Sequence, residues 1–284
     1  MKKYLSLLLI AVCTTAFAQI EIPAPSPAGS VYSKVGLTDV KITYFRPRVK
    51  GRKVFGTTDD VMHKYGELWR TGANNGTVIS FSDDVKVEGK DVKKGEYLLL
   101  TIPGATDWTV ILYNDVSMGG NTAAYKQEND AARFTVKAIK PAKTIETLTF
   151  GIPDISEDNK TATIEMGFEN AIVRFNVTAD YDEKVMKSIE ANTKVNPNNY
   201  IAAANYLFST GKDLKKALEF MNMGIAQGNQ KAFWNIHTKA KIQAALGDKA
   251  GAMATAQQSL ELAKAADSDF GYIKLNEDLM KTLK

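Results

Sequence analysis

Hydrophobic and polar residues alternate along the first part of the chain, and the period changes near residue 180. Val40, Ile42 and Tyr44 share one side of a strand, as do Thr77, Ile79 and Phe81. Leu98, Leu100 and Ile102 follow Gly95, and Trp108, Val110 and Leu112 follow the turn Pro103-Gly104. The same spacing recurs in Phe134-Val136-Ala138, Leu148-Phe150-Ile152, Ile164-Met166-Phe168 and Ala171-Val173-Phe175-Val177, the last two joined by the tight Glu169-Asn170. Successive side chains of a strand point to opposite faces. Eight or more short runs of this kind, each with one apolar face, therefore predict an antiparallel β-sandwich. Parallel pairing would need crossover helices, and the pattern offers none here.

After Ala179 the period is helical, with helices predicted near 181–193, 197–210, 213–227, 231–246, 249–265 and 269–283. Asn196-Pro197 supplies a capping side chain and a first-turn proline, and Gly211 and Gly247 each close a helix. Gly211 and Gly247 are 36 residues apart, while Ala217–Ala252 and Ile225–Leu260 are each 35 apart. Two helices repeating at about 34 residues with small residues at the crossing make a tetratricopeptide-like pattern. Ala245 to Lys264 resembles the second half of such a repeat, whereas Ile201, Ile236 and Lys239 depart from it. An ordinary array of helical hairpins predicts nearly the same structure. The fold class expected is thus α+β: a β-sandwich over 19–179, then an all-α helical-hairpin array over 180–284.

Residues 1–18 read as an export signal. Lys2 and Lys3 precede an apolar run from Tyr4 to Val12, and Ala16-Phe17-Ala18 fits signal peptidase, so Gln19 should begin the mature chain. The rival is a lipoprotein acylated at Cys13, but Val12 stands where a small residue is required. The apolar run is too short for an anchor, so no stable membrane insertion is expected once it is removed, and the protein should be periplasmic or secreted. Cleavage removes the only cysteine and, with Lys2 and Lys3, two of the +4 net charges. The remaining +2 is too little for a general nucleic-acid binder. With only His63 and His237 left, neither a disulfide, a thiolate nucleophile nor a His-rich or Cys metal site is expected, and no cofactor motif appears.

"RPRVKGRKVFG" (Arg46 to Gly56), "YGELWRTGANNGT" (Tyr65 to Thr77), "KGEYLLLTIPGATDWTVILYND" (Lys94 to Asp115) and "IETLTFGI" (Ile145 to Ile152) occur in this order. Together they resemble the domain of unknown function 2911 family of exported bacterial proteins, over roughly residues 23 to 178. The chain departs after Asn114, where "VSMGGNTAAYKQEND" keeps Tyr125 but lacks the tryptophan of the family's Trp-Gly-x-Tyr segment. The resemblance implies a fold and an exported location, and no activity.

Candidate chemistry concentrates in the same motifs. Of six arginines, four fall between 46 and 70, and Val40 to Thr58 holds six cationic residues and no acidic one. Arg46, Arg48, Arg52, Trp69, Arg70, Asn74 and Asn75 form a candidate ligand-binding set. Arginine forks suit carboxylates or phosphates, tryptophan offers a stacking face, and the amides sit on a glycine-bordered loop. The same residues also suit a structural corner: Trp69 as a core anchor, Arg70 on loop carbonyls or on Glu67, and Asn75-Gly76 as a turn. Catalytic residues are not assigned. Thr58 or Asp59 should cap a short helix bearing His63, and no nucleophile elbow, phosphate loop or zincin helix appears. The expectation is a non-enzymatic binding protein that holds an unknown protein or peptide partner through its helical part. Phe233, Trp234, Tyr200, Tyr206 and Phe208 are candidates for that face, although such spacing more often marks a core. The alternative is a glycan or small organic anion held by the Arg/Trp/Asn loop, with a hydrolase the least supported.

Overall fold

The computed structural model describes residues 22–192 and 196–284. The expected export signal over 1–18 and its cleavage before Gln19 lie outside the described residues. Among the described residues no helix is long and apolar enough to cross a membrane. The chain divides into two compact units between Asp180 and Tyr181.

The first unit contains β1 (Ala28–Val35), β2 (Thr38–Phe45), β3 (Phe55–Gly56), β4 (His63–Lys64), β5 (Thr77–Phe81), β6 (Val85–Val87) and β7 (Lys90–Val92). It continues with β8 (Gly95–Ile102), β9 (Asp107–Tyr113), β10 (Asp130–Ile139), β11 (Ile145–Ile155), β12 (Thr161–Glu169) and β13 (Ala171–Thr178). Eleven of these form one antiparallel sheet in the order β1-β2-β5-β8-β9-β10-β13-β12-β11, with β6 and β7 branching from β13. β10 is the shared strand, pairing with β9 through Asp130–Lys137 and with β13 through Ala138 and Ile139. The sheet thus folds over on itself, and its inner faces close on one core. Ile42, Ile79, Leu99, Val110 and Leu112 come from one half, and Leu148, Phe150, Ile164, Met166, Phe168, Val173 and Phe175 from the other.

Two expectations are corrected. The strands holding Leu98-Leu100-Ile102 and Trp108-Val110-Leu112 do not have one apolar face each, because both of their faces are apolar and buried. Leu98 pairs with Tyr113, Leu99 with Leu112 and Leu100 with Ile111. Leu99, Trp108, Val110 and Leu112 therefore face the main core, while Leu98, Leu100, Ile111 and Tyr113 form a second cluster with Leu68, Val78, Ile102, Met118 and Tyr125. β8 and β9 are buried on both faces because the segment after Tyr113, wound into three short 3-10 turns (Val116–Met118, Thr122–Ala124, Gln127–Asn129), covers the outer one. Arg133 Nε donates to Asp130 at 2.8 Å, and the Tyr125 hydroxyl bonds Asp130 and Arg133, which pins that cover.

His63 is not on a helix. It lies on β4, paired in parallel with β3. Of the expected caps, Asp59 is taken by Lys64 at 2.5 Å, and Thr58 donates to Asp60, which also pairs with Lys53 at 2.7 Å. The backbone turns back to donate from His63 N to Val54 O at 2.9 Å and from Tyr65 N to Gly56 O at 2.8 Å.

The second unit is six helices, α1 (Asp182–Asn192), α2 (Pro197–Thr210), α3 (Leu214–Gln227), α4 (Phe233–Ala245), α5 (Lys249–Lys264) and α6 (Tyr272–Leu283). Asn196, Asp213 and Asp248 cap α2, α3 and α5 through side-chain bonds to backbone N–H groups. Gly211 takes the left-handed conformation at φ 64° that ends α2 without a Cβ clash. α2 packs on α3 and α4 on α5 as hairpins. Ala217 and Ala252, the small residues of the 35-residue spacing, are both fully buried at their crossings. Gly224 allows α2 to approach so closely that a Cβ there would lie 2.4 Å from Ile201 Cδ1. At the far end His237 Nδ1, Asn276 and Ser259 form a buried hydrogen-bonded chain that ends on the Phe233 carbonyl.

Candidate functional site

The motif residues are anchored to separate segments rather than gathered around one groove. Arg46 follows β2 and reaches β11, donating from Nε to Leu148 O and from Nη2 to Thr149 Oγ1, both at 3.2 Å. Arg48 is exposed and bridges to Thr147 through its backbone. Arg52 closes the turn before β3 by donating to the carbonyls of Val49 at 2.9 Å and Arg48 at 2.6 Å. Trp69 pairs with Thr101 through both backbone groups and is 2% exposed, so it has no open face for a ligand to stack on. Its ring sits among Phe55, His63, Trp108 and Phe168. Arg70 donates from Nη1 to Gly120 O at 3.2 Å and makes no ion pair with Glu67. Asn74 and Asn75 are exposed, Asn74 with φ 52°, and Gly76 N closes their turn on Ala73 O at 3.0 Å.

The two histidines are both shifted toward the neutral form. Burial drives His63 from its ordinary 6.5 down to about 4, the Arg70 cation adds to this, and Glu67 opposes it. Burial also lowers His237, against the Asn276 hydrogen bond and with help from Lys241. Among the described residues no serine or threonine hydroxyl bonds either imidazole, and no group of three or more His, Cys, Asp or Glu could hold a metal ion.

In the second unit a groove of about 620 Å³ runs across α1, α2 and α3. On α1, Met186 and Ile189 are three residues apart and face it together, flanked by Glu183, Lys187 and Glu190. α2 contributes Tyr200 and Leu207, two turns apart on one stripe, and α3 contributes Lys216, Glu219, Phe220 and Met223 at the same helical spacing. Tyr200 and Phe220 pack at 5.6 Å to make the floor, and Lys216 Nζ lies 4.8 Å over the Phe220 ring. Both lysines are already paired, Lys187 with Glu183 at 2.6 Å and Lys216 with Glu219 at 2.9 Å. With Glu190 and Asp213 added, acids outnumber lysines along the rim.

The aromatic residues expected on a partner face divide between core and surface. Tyr200 and Phe233 are buried, Tyr206 bonds Asp182, Phe208 packs in the core, and Trp234 alone is exposed, at 40%. Met186 and Met223 were missed. Their signal was present, as Met186 with Ile189 and Met223 with Phe220, each pair three residues apart among charged neighbours.

An antiparallel sandwich followed by helical hairpins defines the class of protein. The family described as "Protein of unknown function (DUF2911)" matches residues 26–177, more than half of the chain, and the chain belongs to that family. No curated protein and no solved structure matches it.

Proposed function

We propose that the chain is an exported, non-enzymatic binding protein whose helical unit holds an amphipathic segment of a partner protein in the α1–α2–α3 groove. The observation that carries this reading is the uncovered apolar floor, where Met186 and Met223 stay 40% and 37% exposed beside buried Tyr200, Leu207 and Phe220. Unbranched methionines adapt to the side chains placed against them, which suits a recognition groove. The acidic balance of the rim selects the partner's charge. An apolar stripe flanked by lysine or arginine fits, and an acidic segment does not. Export is supported by the Lys2-Lys3 start, the apolar run and Ala16-Phe17-Ala18.

The experiment is selection of peptides from a random display library on the full chain, with rebinding to the double variant Met186→Asp, Met223→Asp. Both side chains are exposed, so the variant keeps its fold. Enrichment of basic peptides with apolar residues at helical spacing, bound at least about tenfold more weakly by the variant, is expected. Peptides that bind wild type and variant equally, or acidic ones, would refute the reading.

A further inference from the structure

We propose a second binding site, in the β unit, that takes a small zwitterion of the α-amino acid class. A cavity of about 270 Å³ opens beside the β12–β13 turn, lined by Phe55, Tyr65, Trp108, Lys140, Glu169 and Asn170 among others. None of these belongs to the Arg/Trp/Asn set, and the site is independent of the helical groove.

The argument starts from Glu169. It is only 9% exposed, and its carboxylate accepts from Val54 N at 2.9 Å and Phe55 N at 3.3 Å. Those bonds fix β3 against the turn and explain why an acid stands there at φ 52°, a conformation usually left to glycine or asparagine. Neither donor carries a full positive charge. Among the described residues no ammonium or guanidinium lies within ion-pair distance of Glu169, although buried charges are ordinarily paired. Each oxygen has accepted one bond and keeps capacity for another. The cavity wall includes the half-buried rings of Phe55 and Tyr65, and ring faces attract cations. The missing countercharge is therefore a ligand ammonium.

A plain amine would meet Lys140, which follows β10, lines the same cavity, is exposed and has no carboxylate partner among the described residues. A sugar would leave both charges uncompensated. A molecule with an ammonium and a carboxylate answers Glu169 and Lys140 together, and Asn170 adds an amide. The volume lies just below the usual range of ligand pockets, roughly 300–1,000 Å³, so a single amino acid fits better than a peptide.

The test is titration of the full chain with L-alanine and L-leucine, and with methylamine, acetate and glucose as probes, read by calorimetry and by the unfolding temperature of the β unit. Saturable binding of an amino acid, with methylamine and acetate each at least about tenfold weaker, is expected. Lys140→Met lies on the surface and leaves the fold intact. It should weaken the amino acid by roughly tenfold while leaving methylamine as tight or tighter. Glu169→Gln should abolish methylamine binding where the variant folds. Binding of glucose alone, equal amino-acid affinity in Lys140→Met and wild type, or no heat from any amino acid up to roughly 10 mM would each overturn the assignment.

Discussion

Acid should loosen the β unit through His63. The ring is half-buried on β4, 5.1 Å from Trp69 and 6.1 Å from Phe55, and its pKa falls from 6.5 to about 4, chiefly by burial and secondly through Arg70. The unfolded chain takes up this proton near pH 6.5, whereas the folded unit resists until about pH 4. The stabilisation held by the neutral ring is therefore complete above about pH 6.5 and is lost as pH falls toward about 4. At about pH 5 the full shift corresponds to about 2 kcal/mol; solvent screening of a half-buried ring reduces this to about 1 kcal/mol.

His237 acts in the same direction in the helical unit, so the units have to be read separately. Trp69 and Trp108 report the first unit, and Trp234→Phe removes the only tryptophan of the second. In that background, tryptophan fluorescence through a denaturant series at about pH 7.5 and about pH 5 gives the stability of the β unit. His63→Phe removes the titrating group and keeps a ring. Exposed carboxylates contribute equally to both chains, so the chain with His63 should lose about 1 kcal/mol more than His63→Phe over that interval. Equal losses would refute the reasoning, because the buried neutral imidazole would then contribute nothing to the pH dependence.

Other outcomes follow from the packing. Trp69→Ala removes a ring from the centre of the aromatic cluster and should cost the β unit about 3–5 kcal/mol in denaturant unfolding. Gly224→Ala places a Cβ 2.4 Å from Ile201 Cδ1 and 3.2 Å from Ile201 N, so the helical unit should lose about 1–3 kcal/mol despite the better helix propensity of alanine. Adding Ile201→Ala should recover only part of this, and full recovery would show that the backbone contact is harmless. Asn276→Ala leaves His237 and Ser259 without their shared partner and should cost about 1–3 kcal/mol in thermal unfolding of the helical unit.

The regular elements were legible because their signals are local. The spacing of two in Ile164-Met166-Phe168 and the caps at Asn196 and Gly211 each depend on a few neighbouring residues, and the structure places strands and helices there. What escaped depends on distant chain. Leu98 and Leu100 look like the continuation of one apolar face, and only the cover formed by Met118 and Tyr125 reveals that they belong to another. β1 went unread because its inward positions include Gly29 and Ser33 beside Val31 and Val35, and it becomes a strand by pairing from Ala28–Phe45 to Val35–Thr38. Glu169 looked like a turn residue, since nothing nearby in sequence says that its carboxylate meets Val54 and Phe55.

The same distinction explains what most of the densest motif residues do in the fold. Arg46 holds β11, Arg52 holds its own turn, Trp69 is laced to Thr101, and Arg70 holds the loop at Gly120. Thr71 is fully buried and bonds the Thr101 hydroxyl at 3.0 Å. Gly76, at φ 82°, sits so close to Arg70 O that a Cβ would approach to 3.0 Å, and one on Gly120 would come within 2.2 Å of Asn74 O. Arginine is chosen here for its fork, but the acceptors it finds are mostly backbone carbonyls of strands and turns. Such residues are demanding because irregular backbone at the end of a sandwich has no ladder to satisfy it. A ligand site needs polar capacity left over. Among the described residues of this unit, buried Trp69 Nε1 has no partner but no open space beside it, whereas the Glu169 carboxylate, holding two N–H bonds, keeps acceptor capacity beside a cavity. Chemical density in a sequence therefore marks where the backbone needs help, whereas the candidate site lies where a buried charge has not been answered.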